Sequence, residues 1–134
     1  MRGQAAFEYM ALFAIALLIL GILVWYSQQI TERNREDITV ANAITAVNKI
    51  AEASDIVYTQ GKPSQITLSV YIPERVESVE FNNTVIIMKV NIGSGTSDII
   101  ATSKANLQGN ISSDSGLKKI KVIAEENYVN VTQG

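Results

Sequence analysis

The N-terminal part of the chain is dominated by a continuous apolar run. Residues 9–31 contain no charged side chain, and residues 10–26 read MALFAIALLILGILVWY. Ala, Leu and Met favour helix, and no proline precedes Pro63. A helix needs about 20 mostly apolar residues to cross a membrane, so this run is long enough to span one. Trp25 and Tyr26 lie at its far end, where aromatic rings suit the membrane–water boundary.

A polar stretch follows over residues 27–39, and it contains no Gly or Pro that would stop a helix. Within it, residues 31–36 mix both signs of charge, which is typical of a solvated collar. Apolar residues then recur at i, i+4, i+7 and i+11, which defines one face of a helix. The residues of this predicted face are Val40, Ile44, Val47 and Ala51, widened by Ala43, Ala46 and Ile50.

Gly61 and Pro63 mark the end of the helical pattern, because Gly caps a helix and Pro cannot continue one. We therefore predict one helix from about residue 5 to about residue 58. This helix makes up most of a predicted helical region over residues 4–60. The region is apolar over residues 9–31 and amphipathic over residues 32–60. Residues 61–134 form a separate β domain in this division.

The first half of the β domain shows the alternation of half-buried strands. Residues 65–72 alternate strictly, and residues 76–81 and 84–92 predict two further strands joined by a tight turn at Asn82 and Asn83. A loop is expected at 93–95.

The second half of the β domain has a weaker pattern. A strand is expected over 98–103 and a polar loop over 106–116, and residues 117–124 and 128–132 predict a closing hairpin. Five or six strands in so short a domain make a marginal core, so the helix face over residues 40–57 is expected to complete it. The predicted fold class is α+β: a long N-terminal helix with a C-terminal antiparallel sheet head.

Composition argues against catalysis. The 134 residues include 11 Lys and Arg, 13 Asp and Glu, no Cys and no His, for a net charge of −2. The chain therefore lacks the usual acid–base catalyst near neutral pH, the commonest metal ligand and any thiolate. No basic footprint for nucleic acid is present. We expect no enzyme, no cofactor and no metal site.

The residues before the apolar run carry a motif. Met1–Met10 reads MRGQAAFEYM, and only Arg2 and Glu8 are charged among the first 31 residues. This start resembles that of the archaeal type IV pilin precursors, in particular the euryarchaeal group with a class III signal peptide. Their pattern is a short basic leader, a Gly, a Gln, a small residue or Ser, an apolar residue, Glu and Tyr before a long apolar run. The matching residues are Arg2, Gly3, Gln4, Phe7, Glu8 and Tyr9.

The resemblance implies a maturation and assembly route. A membrane-embedded prepilin peptidase would cut between Gly3 and Gln4, removing the leader 1–3 from a membrane-held precursor. A cytoplasmic assembly ATPase and a membrane platform protein would then stack the chain with copies of itself into an extracellular, adhesive filament. The apolar helices would form its core and the β heads its surface. The core residues are Phe7, Tyr9, Leu12, Phe13, Ile15, Leu18, Ile19, Ile22, Leu23 and Trp25.

Glu8 has a chemical interpretation independent of any family. A cut before Gln4 frees an α-amino group one helical turn from Glu8, on the same face. In a bundle of parallel helices a buried Glu8 needs a partner, and the free amine of a neighbouring copy could supply it. Such a pair would set the axial register of the copies. If the N-terminal Gln4 cyclises, its amine is lost. Backbone N–H groups at a helix N-terminus would then pair with Glu8 instead.

Other interpretations remain open at this stage. A cleaved secretory signal fits poorly, because Glu8 and the residues after the run do not suit one. A plain membrane anchor for an extracytoplasmic β domain explains the apolar run but leaves the carboxylate of Glu8 unexplained, unless Glu8 snorkels to the interface without a partner. A minor pilin that only primes or tips a filament is a further alternative. An archaellin, the subunit of the rotary archaeal filament, typically lacks the acidic residue.

Three N-x-[ST] sequons occur, at Asn82, Asn110 and Asn130. All fall in the β domain, in or beside predicted turns. They are possible N-glycosylation sites, and equally they are the turn residues that a chain rich in Asn, Ser and Thr produces by chance.

Overall fold

In the computed structural model, which describes residues 2–134 and the side chains from Gly3 onwards, one helix precedes seven strands. Helix α1 spans Arg2–Gln60, which confirms the predicted long helix. The N–H of Gly61 donates to the Val57 carbonyl at 2.9 Å, and Gly61 has φ 74°. Glycine commonly adopts this left-handed conformation immediately after the last residue of a helix, so the predicted stop signal is confirmed.

The chain divides into two compact units. The first ends at Arg35, and the second runs from Glu36 to Gly134. The second unit therefore contains the last 25 residues of α1, Glu36–Gln60, together with all seven strands. The strands are β1 Gln65–Ile72, β2 Val76–Asn82, β3 Val85–Ile92, β4 Gly95–Thr102, β5 Leu107–Asn110, β6 Gly116–Ala124 and β7 Val129–Gln133.

The strands form two sheets. The larger has the order β1-β6-β7-β5 and the smaller has the order β2-β3-β4. Pairing is antiparallel except between β5 and β7, which run parallel in register Leu107↔Val129. The α+β fold class, a long helix followed by a mainly antiparallel β domain, is confirmed.

Most strand predictions are confirmed at their positions. Strand β1 matches residues 65–72, the turn at Asn83 separates β2 from β3, and β6 with β7 makes the predicted closing hairpin. Strand β4 begins at Gly95, three residues before the expected 98. Its partner explains this extension, because Gly95 pairs with Ile92 across the turn at residues 93–94.

The expectation of a polar loop over residues 106–116 is wrong for residues 107–110. Strand β5 forms there although only Leu107 of its four residues is buried. Its backbone pairs with β7, so it needs no apolar alternation of its own. At Gly109, φ is 147° and an added Cβ would clash with the backbone of Val131, so only glycine fits this close approach.

One hydrophobic core joins the helix to both sheets. Val47, Ile50 and Val57 of α1 are 0–1% exposed, and they belong to one cluster with Met88 of β3 and Ile120 of β6. The helix therefore supplies a layer that the sheets lack, as predicted for residues 40–57.

The predicted helix face is displaced at one position. Ile44 was expected on the buried face, but 44% of it is exposed. The buried face instead follows Ala43, Ala46, Ile50 and Ser54. Ile44 therefore lies at the edge of the buried face.

We predict that Ile50→Ala destabilises the β domain by about 2–5 kcal/mol, because it leaves a cavity in a fully buried site. Ile44→Ala is the matched control on the same helix, and it should lower the free energy of unfolding by less than about 1 kcal/mol. Urea unfolding of the full chain in micelles, followed by NMR amide signals of β6, measures both. Equal losses would contradict this orientation of the helix.

Candidate membrane-anchoring and assembly segment

The first unit presents its apolar side chains outward along its whole length. We call residues 9–31 the apolar segment. Its large side chains from Tyr9 to Tyr26, and Phe7 before them, are each 51–75% exposed. None of the most apolar stretch of the helix is buried among the described residues. By length and composition it is able to cross a membrane.

The exposed apolar side chains surround the helix and do not form one stripe. Leu17, Leu18 and Ile19 follow one another at about 100° steps, and they are 52%, 63% and 52% exposed. A helix that is apolar on all sides belongs in a membrane or inside a larger core. Within the described residues no such core surrounds it, and this is compatible with membrane anchoring.

Every residue expected in the filament core is in this exposed set. The residues and their exposed fractions are Phe7 74%, Tyr9 75%, Leu12 64%, Phe13 67%, Ile15 57%, Leu18 63%, Ile19 52%, Ile22 55%, Leu23 57% and Trp25 63%. Their packing against other copies stays a prediction, and what is observed is that they are available for it.

Glu8 is the one charged side chain of the first unit that lies among these apolar residues. It is exposed, and among residues 3–134 its carboxylate has no hydrogen bond or ion pair. Gln4 lies one turn before it on α1, also exposed. A carboxylate carried into an apolar environment costs several kcal/mol unless it is paired, so any burial of this segment requires a partner for Glu8.

The expected processing site lies in the first turns of α1. Gly3 and Gln4 are helical and exposed, and nothing lies within 4 Å of a Cβ built on Gly3. Part of the expected leader, Met1, falls outside the described residues. Cleavage between Gly3 and Gln4 stays a prediction.

The sequons differ in their structural setting. Asn82 ends β2 at the hairpin and Asn110 ends β5, and both are exposed. Asn130 is half-buried within β7, which has strands on both sides. Steric access therefore favours Asn82 and Asn110 over Asn130 as acceptors.

Two carboxylates of the second unit have roles that the sequence pattern did not indicate. Glu36, placed by its neighbours in a solvated collar, accepts a hydrogen bond from the Gly93 N–H at 3.0 Å and lies 3.9 Å from Arg75. Asp55 accepts from Ser103 Oγ at 2.6 Å and from the Lys104 N–H at 2.7 Å. Each carboxylate fixes a loop of the β domain to α1, over separations of 57 and 48 residues that no local motif reveals.

Comparison with protein-family models, with curated proteins and with solved structures finds no match for this chain.

We predict that Leu18→Arg reduces membrane insertion of the chain. An arginine at the centre of a spanning helix costs about 2.5–3.5 kcal/mol in insertion, which is roughly a hundredfold in the insertion equilibrium. The measurement is protease protection of the β domain after cell-free translation with membrane vesicles.

The matched control is Ile38→Arg, which places the same charge at a 60% exposed site beyond the apolar segment. It should leave insertion unchanged. A similar loss in both variants would mean that the apolar segment is not what holds the chain in the membrane.

Proposed function

We propose that this protein is the structural subunit of an archaeal type IV pilus-like adhesion filament. The observation that carries the proposal is the apolar segment: its side chains are exposed on all sides, while the second unit buries its own core without them. The N-terminal pattern from Arg2 to Tyr9, which resembles that of the archaeal pilin precursors, adds the order of events.

The chain begins, in this proposal, as a membrane-held precursor. Prepilin peptidase cuts between Gly3 and Gln4, and the apolar segment stays on the mature chain. An assembly ATPase in the cytoplasm and a platform protein in the membrane then move the subunit from the bilayer into the base of the filament. The filament itself lies outside the cell and adheres to surfaces or other cells.

Assembly replaces one apolar environment by another. In the bilayer, lipid covers the exposed side chains of the apolar segment; in the filament, the same segments of neighbouring copies cover them. Burial of apolar area stabilises by roughly 25 cal/mol per Å² relative to water. A subunit drawn out of the membrane therefore has to enter a bundle directly, since exposure to water would forfeit that whole contribution.

Glu8 supplies the register of the bundle. Its carboxylate has no partner among the described side chains, and the α-amino group freed at Gln4 of a neighbouring copy provides one. Removal of one member of a buried ion pair typically costs about 3–5 kcal/mol. Assembly should therefore be sensitive to this one side chain.

A second candidate function is a membrane-anchored extracytoplasmic β domain, or a minor pilin that does not form the bulk of a filament. The observation that favours it is that length and hydropathy alone satisfy an anchor. The plain anchor differs from the first proposal in requiring no partner for Glu8 and no cleavage.

The first test is the mass of the N-terminal peptide of this protein in sheared cell-surface filaments from its source. We expect a chain that begins at Gln4, because cleavage precedes assembly. A chain that begins at Met1, or one found only in the membrane fraction, would overturn the filament proposal and favour the anchored domain.

The second test is Glu8→Ala in the source organism or a reconstituted assembly system. We expect filament mass to fall at least tenfold while membrane insertion is retained, since the register partner is lost. Glu52→Ala removes an exposed carboxylate from the second unit's part of the same helix and serves as the control. Filaments of normal mass built from Glu8→Ala subunits would overturn the register role of Glu8.

A further inference from the structure

The β domain contains a cleft that neither the apolar segment nor the proposed filament core explains. It has a volume of ≈ 440 Å³, which lies within the range of small-ligand sites. The end of β2 and its hairpin, the start of β5, and the turn between β6 and β7 form its walls. All of these elements belong to the second unit.

The walls of the cleft are held by backbone hydrogen bonds. The Leu107 N–H donates to the Asn83 carbonyl at 2.6 Å, and the Val129 N–H donates to the Asn106 carbonyl at 2.7 Å. The Glu125 N–H donates to the Tyr128 carbonyl at 2.9 Å, which closes the turn. Leu107, 2% exposed, is anchored in the core. The cleft is therefore pre-formed.

The side chains that line the cleft are rich in amides. They are Asn82, Asn83, Asn106, Gln108 and Asn127. Among residues 3–134 none of these five side-chain amides makes a hydrogen bond, and all five side chains are exposed. An amide side chain offers both donors and an acceptor, so the cleft presents both kinds of group to a ligand.

Two aromatic rings complete the lining. Phe81 and Tyr128 are half-buried, so each keeps part of its ring accessible. No charged side chain is among the residues that line the cleft. An anionic or cationic ligand would find no partner there, and a purely apolar ligand would leave the amides unpaired, which is costly for buried polar groups.

We propose that this cleft binds a neutral saccharide. Sugar hydroxyls both donate and accept hydrogen bonds, so they can pair with both the N–H and the C=O groups of the five amides, and the C–H face of a pyranose ring packs on an aromatic ring. Turn chemistry accounts for Asn83, whose φ is 52°. It does not account for Asn106, which immediately precedes β5, for Gln108 within β5, or for the convergence of amides from three separate elements on one cleft. The proposal does not rest on filament assembly.

The test uses the full chain, made in a host without N-glycosylation and held in zwitterionic micelles that contain no sugar. NMR titration with lactose, maltose, chitobiose and mannobiose, up to millimolar concentration, measures binding. We expect at least one of them to shift the amide signals of residues 106–108 and 127–128. Sialyllactose, which adds a carboxylate to lactose, should bind no better than lactose.

Two cleft variants and one control test the assignment. Asn106→Ala and Asn127→Ala should each weaken binding about three- to tenfold, the loss expected for one hydrogen bond. Asn48→Ala removes an exposed amide from α1 and should leave the affinity unchanged. Three results would overturn the proposal. They are no shift with any of the four sugars, shifts only elsewhere in the chain, and an affinity that neither cleft variant changes.

The saccharide has two possible sources, because Asn82 is both a lining residue and a sequon. The intact mass of the chain from its source shows whether Asn82 carries a glycan. If it does, free sugar should bind the native chain only after Thr84→Val removes the sequon, and the cleft holds the chain's own glycan. If Asn82 is bare and free sugar binds the native chain directly, the cleft receives a glycan from another molecule.

Discussion

This protein has an apolar helix surface that the rest of the described chain does not cover. Both of its proposed functions depend on how that surface is covered. The large side chains from Phe7 to Tyr26 are 51–75% exposed, whereas those of Ala43, Ile50 and Val57 in the same helix are 0% exposed. Full burial of one large apolar side chain contributes about 1.5–3 kcal/mol, so exposure of this whole set to water is untenable. Such a surface is compatible with a membrane environment.

The second unit meets its own need by folding the rest of α1 into its core. Two sheets of four and three strands are too small to bury both faces alone, and the helix supplies the third layer. Glu36 and Asp55 then hold the loops at Gly93 and Ser103 against this helix. The unit can therefore present a fixed surface, including the amide-lined cleft, whatever covers the apolar segment.

Local pattern predicted the elements well, and the departures have physical causes. Strand β1, the hairpin at Asn83 and the cap at Gly61 each depend on residues within a few positions of one another. Strand β5 was missed because its pairing with β7, and not its own residues, makes it a strand. Ile44 was misplaced because a periodic pattern fixes a helix face only to within one residue's rotation. The carboxylate contacts and the cleft join distant segments, so no window of sequence contains them.

The proposed filament gives Glu8 a role that apolar packing cannot take. Apolar burial is non-directional, and side chains that surround the helix evenly would allow neighbouring copies to slide along or rotate about one another at little cost. A single polar group in such a surface makes one arrangement distinct, because every other arrangement leaves it unpaired; a lone polar residue fixes register in coiled coils in the same way. Residues 9–31 contain no charged side chain, so no competing partner for Glu8 exists along the apolar segment. This strengthens the preference for one arrangement of neighbouring copies.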